Sequence, residues 1–414
     1  MFRTIEEAKA FLQDRDDRRK YDRSHFDAFL EYQKFNFKVP AIHITGTNGK
    51  TTTAKMLANI YQLAGYKTGL FTSPYLSDEN EMWQINNKFI SDQELLSFIN
   101  RYAVDFLRFD LTAFEMETFI AFIYFAESKV DIAIIEVGMG GKTDATNVFI
   151  PILSIITNVS LEHSSFLGPT LKDIATAKAG IIKPIVPVLL GGEMLPELIP
   201  TIKEVAKKNG SPVFIGTMPH NIRYTKENAV FDFDECFNDI KMQNPAQIYV
   251  FNAVNAISAC RILQSRFPLR NEHMRQGIEM TTLPARMEIV HYSPLVFIDG
   301  AHNPQAMEIL VETLKELGIF APTIIFSAFR DKDVAAEFDL LKEIDANIIL
   351  THFDHPRTRD KDEYPHNNFP YIENPITAIK QSLKAVEKNE VIVITGSLGF
   401  AGYISFLWKE GVFP

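Results

Sequence analysis

Cysteine is scarce in this sequence: Cys236 and Cys260 are the only two in 414 residues. Their separation matches no metal-ligand spacing, and two thiols in a chain of this length suit a reducing compartment better than a disulfide framework. We therefore interpret both as buried side chains that fill apolar space.

Long apolar runs and an excess of basic residues are also lacking. No run approaches the roughly 20 residues that a membrane-spanning helix needs, and the first residues contain no apolar signal core. The formal net charge of −10 provides no positive surface for nucleic acid or an anionic membrane. We expect a cytoplasmic protein that acts as a monomer and binds small molecules rather than nucleic acid or membranes.

What is present is a regular alternation of short apolar runs and helical patterns. Residues 131–137 and 152–159 are continuous apolar runs, typical of buried parallel strands. Helical patterns occupy residues 114–127 and 170–179. The alternation predicts an α/β fold with a doubly wound sheet. Short polar and aromatic pieces interrupt it at residues 215–250, where we expect a small antiparallel or irregular insertion.

The alternation restarts near Pro284. Four further strands are predicted there, at residues 295–298, 323–326, 347–350 and 391–394. Because single cores rarely grow past about 250–300 residues, we expect more than one domain. We predict a larger α/β domain at residues 1–287 and a smaller, Rossmann-like α/β domain at residues 288–414.

One segment carries a specific chemical signal: a strand, a glycine-containing turn and a helix start follow one another in residues 41–53. Backbone N–H groups of such a turn bind phosphate oxygens, and the helix N-terminus adds positive potential. Lys50 adds a cation, and the Thr51 hydroxyl can bind Mg²⁺. The strict phosphate-loop pattern has glycine where this chain has Ile44, so the segment alone is a weak signal for a nucleoside triphosphate.

Groups able to bind a metal stand at the ends of the predicted strands. Ser73 follows the second strand, Glu136 ends the third, and Glu162 and His163 follow the next. Taken singly, each is more often a solvated polar group or an ordinary histidine. Ligands of open α/β sheets bind at the carboxyl ends of the strands, where these residues and Thr51 are expected to converge. Oxygen ligands with one imidazole suit Mg²⁺ or Mn²⁺ beside phosphates.

Segments in a fixed order along the chain resemble the folylpolyglutamate synthase and dihydrofolate synthase family, which belongs with the Mur ligases among ATP-dependent amide-bond ligases. In the first domain they are GTNGKT (46–51), GLFTSP (69–74), LTAFE (111–115), EVGMGG (136–141), DATN (144–147), His163 with Leu167 and Gly168, and KAGIIK (178–183). Further along the chain they are Arg286, just before the predicted domain boundary, and then DGAHNP (299–304), DKD (331–333) and GSL (396–398).

The resemblance implies which residues bind ATP and metal. Its ATP-binding positions correspond to Thr47, Asn48, Gly49, Lys50, Thr51, Asn255, Arg286 and Asp299. Its metal ligands, for two Mg²⁺ sites, correspond to Thr51, Ser73, Glu136, His163 and Lys178. Lys178 matches a lysine that is carbamylated in the family, and a carbamate is an anionic oxygen ligand where a bare ammonium would repel Mg²⁺. Sequence alone favours the ordinary alternative, an exposed lysine on a helix.

The resemblance also implies the contacts of the two substrates. Pterin contacts correspond to Thr112, Phe114, Asp144 and Ala145, and the incoming glutamate to His302 and Ser397. For Phe114, plain core packing is a serious alternative. The implied catalytic set is Lys50, Glu136, His163, Lys178 and His302. The chain departs from the family pattern at Tyr75, Lys142, Glu162 and Tyr403.

The implied reaction is ATP-dependent addition of L-glutamate to a folate, to dihydropteroate, or to both. ATP converts the acceptor carboxylate into an acyl phosphate, the glutamate amine attacks it, and phosphate leaves. Three alternatives stay open: a Mur-type ligase acting on a UDP-sugar peptide, a nucleotide-switched ATPase without ligase activity, and a family member that has lost activity. The segments at 69–74 and 111–115 argue against the first.

Overall fold

The structure is a computed structural model that describes residues 1–14, 22–161, 164–332, 334–365 and 368–414. They form two compact units. The first comprises Met1–His220, Asp232–Asn238 and Phe251–Thr281. The second comprises Asn221–Phe231, Asp239–Val250 and Thr282–Pro414. The predicted domain division at residue 287 stays a prediction.

The first unit is built on a sheet with eight strands among the described residues. They are β1 (Ala41–Thr45), β2 (Thr68–Phe71), β3 (Trp83–Ile85), β4 (Lys88–Phe89), β5 (Ile132–Glu136), β6 (Leu153–Ile156), β7 (Val188–Leu190) and β8 (Val213–Ile215). Their order is β4-β3-β2-β5-β1-β6-β7-β8. All neighbours from β2 to β8 run parallel, whereas β3 and β4 form an antiparallel edge hairpin. The predicted doubly wound parallel sheet is confirmed, and the hairpin is an addition to it.

Burial explains why these segments are strands. Every residue of β1 and β5 is buried, as expected for parallel strands covered on both faces.

The helices up to residue 280 are α1 (Ile5–Gln13), α2 (Ser24–Tyr32), α3 (Lys50–Leu63), α4 (Asp92–Arg108), α5 (Ala113–Glu127), α6 (Ser164–Leu167), α7 (Leu171–Ala179), α8 (Ile199–Lys208), α9 (Gln247–Ile262) and α10 (Asn271–Glu279). A short 3₁₀ helix occupies Glu79–Met82.

The segment predicted to be a small antiparallel insertion contains three strands. They are β9 (His220–Tyr224), β10 (Ala229–Asp232) and β11 (Ile240–Met242), in the order β11-β10-β9. β10 and β11 pair antiparallel, which confirms the prediction.

The second unit contains a five-stranded sheet. Its strands are β12 (Glu288–Tyr292), β13 (Leu295–Ile298), β14 (Thr323–Phe326), β15 (Asn347–Leu350) and β16 (Val391–Thr395), in the order β12-β13-β16-β14-β15. Only β12 runs antiparallel to its neighbour. The helices are α11 (Pro304–Glu316), α12 (Val334–Lys342), α13 (Pro375–Ala385) and α14 (Leu398–Lys409), with a 3₁₀ helix at Lys361–Glu363. This is the smaller α/β unit that the sequence predicts.

Phenylalanine dominates the main core of the first unit. Phe29 lies with its ring centroid 4.7 Å from that of Phe119, and Phe122 lies 5.5 Å from Phe149. The 33 phenylalanines of the chain thus provide the large apolar side chains that fix α2 and α5 beside the sheet. At the edge of this core lies Phe114, which is only partly buried.

The two cysteines differ in exposure. Cys260 is buried, as predicted, but Cys236 is exposed, so the prediction for Cys236 is wrong. The reason is local: Cys236 lies in a tight turn, where its backbone N–H donates to the Asp234 carboxylate at 2.9 Å. Among the described residues no helix is both long and apolar enough to cross a membrane.

Candidate functional site

The phosphate loop joins β1 to α3. Residue Gly49 precedes the first helical residue, Lys50, and has a left-handed backbone with φ of 81°. A β-carbon at Gly49 would lie 2.2 Å from Oδ1 of Asn252 in α9. The turn therefore needs glycine both for its backbone conformation and for the close approach of α9.

Hydrogen bonds to the end of β6 hold the loop in place. The Asn158 side-chain oxygen accepts the Asn48 N–H at 2.9 Å, and the Asn158 carbonyl accepts the Thr47 N–H at 3.2 Å. The Thr157 hydroxyl donates to the Asn48 carbonyl at 2.6 Å. The Lys50 ammonium donates to two loop carbonyls, including that of Thr47, at 3.0 Å each. Sequence reasoning missed Thr157 and Asn158: it placed both inside the predicted strand at residues 152–159, whereas β6 ends at Ile156.

Two predicted metal ligands lie together. The Thr51 hydroxyl donates to Oε1 of Glu136 at 2.9 Å, and Glu136 is only 1% exposed. The parallel pairing of β1 with β5, which sets Ile44 opposite Glu136, brings them to the same sheet edge. Ser73 follows β2 and is half-buried. His163 and Glu162 lie outside the described residues.

This donor set fits a magnesium ion. A hydroxyl and a carboxylate are hard oxygen ligands, and Mg²⁺ in proteins keeps several waters and needs few protein ligands. Within the described ranges no group of three His, Cys, Asp or Glu side chains forms a metal cluster. A magnesium ion here would therefore depend on Thr51, Glu136 and phosphate oxygens, and Ser73 and His163 stay predicted ligands.

Lys178 is not an exposed lysine. It lies in the last turn of α7, is 1% exposed, and is among the largest fully buried side chains. The ordinary alternative is therefore wrong, because the C-terminal end of α7 packs against the loop after β5, where Lys142 N–H donates to the Ala177 carbonyl at 2.9 Å. Carbamylation of Lys178 stays a prediction.

The predicted pterin residues surround the start of α5. Thr112 caps the helix: its hydroxyl accepts the Glu115 N–H at 3.3 Å, while the Glu115 carboxylate accepts the Thr112 N–H at 2.8 Å. The ring of Phe114 stacks on Phe71 at 6.0 Å. A β-carbon on Gly138 would lie 2.6 Å from that ring, so Phe114 presses directly on the loop after β5.

Asp144 holds the loop after β5 through hydrogen bonds from the backbone of that loop. Its carboxylate accepts backbone N–H groups from Met139 at 2.8 Å and Thr146 at 2.9 Å. Burial raises the pKa of Asp144 above its usual value, although these hydrogen bonds oppose the shift. The neighbouring Ala145 is 1% exposed and belongs to the phenylalanine-rich core. The folate contacts of Asp144 and Ala145 stay predictions.

Asn255 in α9 carries a polar side chain with no protein partner. It is fully buried, and neither its amide nitrogen nor its amide oxygen has a hydrogen-bond partner among the described residues. Glycines line its surroundings: β-carbons on Gly191 and Gly216 would lie 3.1 Å and 3.3 Å from its amide atoms. Buried amides are normally hydrogen-bonded, so this geometry suits a ligand that presents both a donor and an acceptor, such as a nucleotide base.

In the second unit, Arg286 lies on a strained segment. Its neighbours Ala285 and Met287 have positive φ values of 54° and 46°, which non-glycine residues rarely adopt. The Asp299 carboxylate accepts the Met287 N–H at 2.8 Å and the Ala301 N–H at 2.9 Å. Burial raises the pKa of Asp299, while the charge of Arg286 opposes that rise. Arg286 and Asp299, predicted ATP-binding residues, are thus neighbours.

The predicted glutamate-binding residues also belong to this unit. Nδ1 of His302 lies 2.8 Å from the Gly300 carbonyl. Since a carbonyl only accepts, Nδ1 carries a hydrogen and donates it to this carbonyl. Ser397 is fully buried and caps α14, where its hydroxyl accepts the Phe400 N–H at 3.1 Å. Their roles toward glutamate stay predictions.

The departures from the family pattern have ordinary surroundings. Tyr75 donates to the Glu79 carboxylate at 3.4 Å, and burial raises its pKa to about 12. Lys142 is exposed. Tyr403 is 37% exposed and stacks on Phe353 at 6.2 Å.

Two families of known proteins match this chain. The Mur ligase middle domain matches residues 44–260, and the Mur ligase glutamate ligase domain matches residues 285–398. A dihydrofolate synthase/folylpolyglutamate synthase of Bacillus subtilis is 34% identical over 385 residues, 88% of this chain and 89% of that relative.

Solved structures are similar over nearly the whole chain. An FPGS in complex with AMPPCP and folate has a TM-score of 0.84 and 30% identity, covering 97% of this chain and 98% of that one. FolC of Escherichia coli in complex with DHPP and ADP has a TM-score of 0.84 and 25% identity, covering 99% and 98%.

Proposed function

We propose that this chain, which belongs to the folylpolyglutamate synthase and dihydrofolate synthase family of Mur ligases, uses ATP to join L-glutamate to a folate. The observation that carries the proposal is the phosphate loop whose Thr51 hydroxyl meets the buried Glu136 carboxylate at 2.9 Å. Such a loop binds and orients a nucleoside triphosphate. Relatives with an ATP analogue and folate, or with ADP and DHPP, support the choice of substrates.

The reaction follows from the chemistry of a carboxylate. Because a carboxylate is a poor electrophile, the γ-phosphoryl group of ATP first moves to the acceptor carboxylate, giving an acyl phosphate and ADP. The glutamate amine attacks the acyl carbon, phosphate leaves, and an amide forms. Phosphoryl transfer depends mainly on positioning and charge neutralisation, which the loop N–H groups and Lys50 provide.

A bound Mg²⁺ would neutralise charge on the phosphate oxygens. Thr51 and Glu136 are the residues that would hold it, and Asn255 offers hydrogen bonds to the adenine. Further proposals are a second Mg²⁺ held by a carbamylated Lys178, action in the cytoplasm, and a monomeric enzyme. We also propose that dihydropteroate is an acceptor, since Thr112 and Phe114 match positions used by members that accept both substrates.

An acceptor panel tests the proposal. Purified protein is incubated with ATP, Mg²⁺ and L-glutamate plus tetrahydrofolate, dihydropteroate or a UDP-muramoyl acceptor, and ADP release and product mass are measured. We expect ADP release and a mass increase of one glutamate with a folate acceptor. A product only from the UDP-muramoyl acceptor indicates a Mur-type ligase, and turnover without glutamate indicates a nucleotide-switched ATPase. No turnover at all, unchanged in Lys178→Ala, indicates an inactive family member.

Asn255 supplies a second test that separates binding from folding. Replacing its unpaired amide with an apolar group of similar shape removes a desolvation cost in the nucleotide-free protein. We therefore expect Asn255→Leu to raise the free energy of unfolding by about 1 kcal/mol and to weaken ADP binding about tenfold. Urea unfolding and calorimetric titration measure the two effects, and unchanged ADP affinity would remove Asn255 from the nucleotide site.

A further inference from the structure

A chain of buried hydrogen bonds connects β1 to the loop after β5. Nε2 of His43, a fully buried residue of β1, lies 2.8 Å from the Thr146 hydroxyl. That hydroxyl donates to Oδ1 of Asp144, which also accepts the Thr146 N–H at 2.9 Å. The other carboxylate oxygen, Oδ2, accepts the Met139 N–H at 2.8 Å. Neither His43 nor Thr146 belongs to the predicted site.

The direction of these bonds follows from counting hydrogens. The Thr146 hydroxyl has one hydrogen, which it gives to the Asp144 carboxylate, so it can only accept from His43. When Asp144 is ionised, His43 therefore carries its ring hydrogen on Nε2. Nδ1 is then an acceptor, and it is buried with no partner among the described residues.

That unpaired nitrogen argues against a role in packing alone. A buried polar atom without a partner costs free energy comparable to a lost hydrogen bond. An apolar side chain beside Phe149, whose ring centroid lies 5.0 Å from that of His43, would avoid this cost. What the imidazole provides and an apolar group cannot is the hydrogen bond that fixes the Thr146 hydroxyl.

The chain of bonds ends at the predicted pterin wall. The Asp144 carboxylate accepts the N–H of Met139, the residue after Gly138. A β-carbon on Gly138 would lie 2.6 Å from the Phe114 ring and 3.3 Å from Oδ2 of Asp144. The Gly138 backbone thus lies close to both the carboxylate and the ring.

We infer that His43 and Thr146 are positioning residues that set Asp144 and, through it, the wall of the pterin site formed by Gly138 and Phe114. Both act through another group and touch neither substrate. This inference rests on the proposed function, because it assigns the wall to a folate acceptor. It predicts that loosening the relay weakens acceptor binding and leaves nucleotide binding intact, since the phosphate loop is held by Thr157 and Asn158 instead.

Thr146→Val and Thr146→Ser form a matched pair for the test. Valine keeps the shape and loses the hydroxyl, whereas serine keeps the hydroxyl. For Thr146→Val we expect the Kd and KM for tetrahydrofolate or dihydropteroate to rise about tenfold, which corresponds to roughly 1.4 kcal/mol, with the KM for ATP within about twofold of wild type. Thr146→Ser should restore acceptor binding to within about threefold.

The test also distinguishes the two proposals. The proposed function is contradicted if the wild-type protein binds a pterin in direct titration but does not ligate it. The inference still stands in that case if Thr146→Val binds the pterin less tightly than the wild type. Ligation with equal acceptor affinity in both variants overturns the inference alone. If ATP and acceptor constants deteriorate together in Thr146→Val, Thr146 has a general structural role and the inference is wrong.

Nuclear magnetic resonance of the full chain provides a readout that needs no ligand. We expect ¹⁵N spectra to show the hydrogen of His43 on Nε2, and the Met139 amide to exchange with solvent faster in Thr146→Val than in Thr146→Ser. A His43 hydrogen on Nδ1, or unchanged Met139 exchange, overturns the relay.

Discussion

Gly49 and Gly65 show how the surroundings of a residue decide its importance. They flank the same helix, α3, and have similar positive φ values of 81° and 92°. A β-carbon at Gly49 would meet the side chain of Asn252 at 2.2 Å, whereas one at Gly65 would meet nothing within 4 Å. Backbone conformation alone therefore makes them equivalent, and only the packing of α9 distinguishes them.

Alanine substitutions at these glycines separate the two effects. Gly65→Ala should lower the free energy of unfolding by about 1 kcal/mol, the cost of a left-handed backbone. Gly49→Ala should cost more, because fully buried Asn252 must also move, and should abolish ADP binding. Urea unfolding and calorimetric titration measure both. Equal losses in the two variants would mean that the approach of Asn252 does not matter.

Glu193 makes stability depend on pH. Burial raises the pKa of this carboxyl from 4.5 to about 7, although Asn158 donates to it at 3.0 Å. Between these pKa values the native state binds more protons than the unfolded state, so this contribution to stability falls as pH rises through the window and is lost above it. Glu193, which accepts a hydrogen bond from Asn158, thus destabilises the fold at alkaline pH.

We expect Glu193→Gln to raise the free energy of unfolding above that of the wild type. This gain should be larger at pH 8 than at pH 5 by on the order of 2 kcal/mol. Urea unfolding at the two pH values measures this difference. The control is Glu204→Gln in α8, whose exposed carboxylate has a lowered pKa and should give no such rise. A difference for Glu193→Gln that is independent of pH contradicts the assignment.

At the scale of elements, α4 and α5 begin with the same capping motif. The Ser91 hydroxyl accepts the Glu94 N–H, and the Thr112 hydroxyl accepts the Glu115 N–H, each at 3.3 Å. Ser91 is exposed, whereas Thr112 is buried beside the predicted pterin site. The two caps should therefore contribute similarly to helix stability and differently to substrate binding.

Removing each cap tests this distinction. Ser91→Ala and Thr112→Ala should each lower the free energy of unfolding by about 1 kcal/mol. Only Thr112→Ala should raise the KM for the folate acceptor. Unfolding experiments and steady-state kinetics with the acceptor varied provide the measurement. A rise in KM for both variants would assign the effect to stability and withdraw Thr112 from the pterin site.

At the scale of the whole molecule, each unit has its own sheet and its own tryptophan. Trp83 is fully buried in the first unit, and Trp408 lies in α14 of the second. The Trp408→Phe variant therefore retains a single fluorescent reporter in the unit that contains the phosphate loop. Ligand binding to that unit can then be followed as a shift in the unfolding transition that the fluorescence of Trp83 reports.

Nucleotide should stabilise the first unit by mass action. With Mg²⁺ and ADP at 100 times the Kd, we expect the Trp83 unfolding transition of Trp408→Phe to shift by about 2.7 kcal/mol. Adding Lys50→Met, which removes the loop cation and keeps the length of the side chain, should abolish the shift. A shift that persists without the Lys50 charge would locate nucleotide binding elsewhere.

Much of the fold follows from local patterns in the sequence. The apolar run at residues 131–137 contains β5, which is shorter by one residue at each end, because a parallel strand buried on both faces needs continuous apolar residues. The hairpin of β3 and β4 was missed, since β4 has only two residues and both are exposed. Short edge strands carry little apolar signal.

The amino-acid order by itself determined the α/β class, the phosphate loop and the family, because these depend on short segments whose residues act together. Tertiary structure alone decided that Lys178 is buried, that the Asn255 amide has no hydrogen-bond partner in the described part of the chain, and that His43 reaches Thr146, which is 103 residues away in sequence. The physical reason is that burial and hydrogen bonding between distant residues depend on how elements pack, and no local spacing encodes that packing.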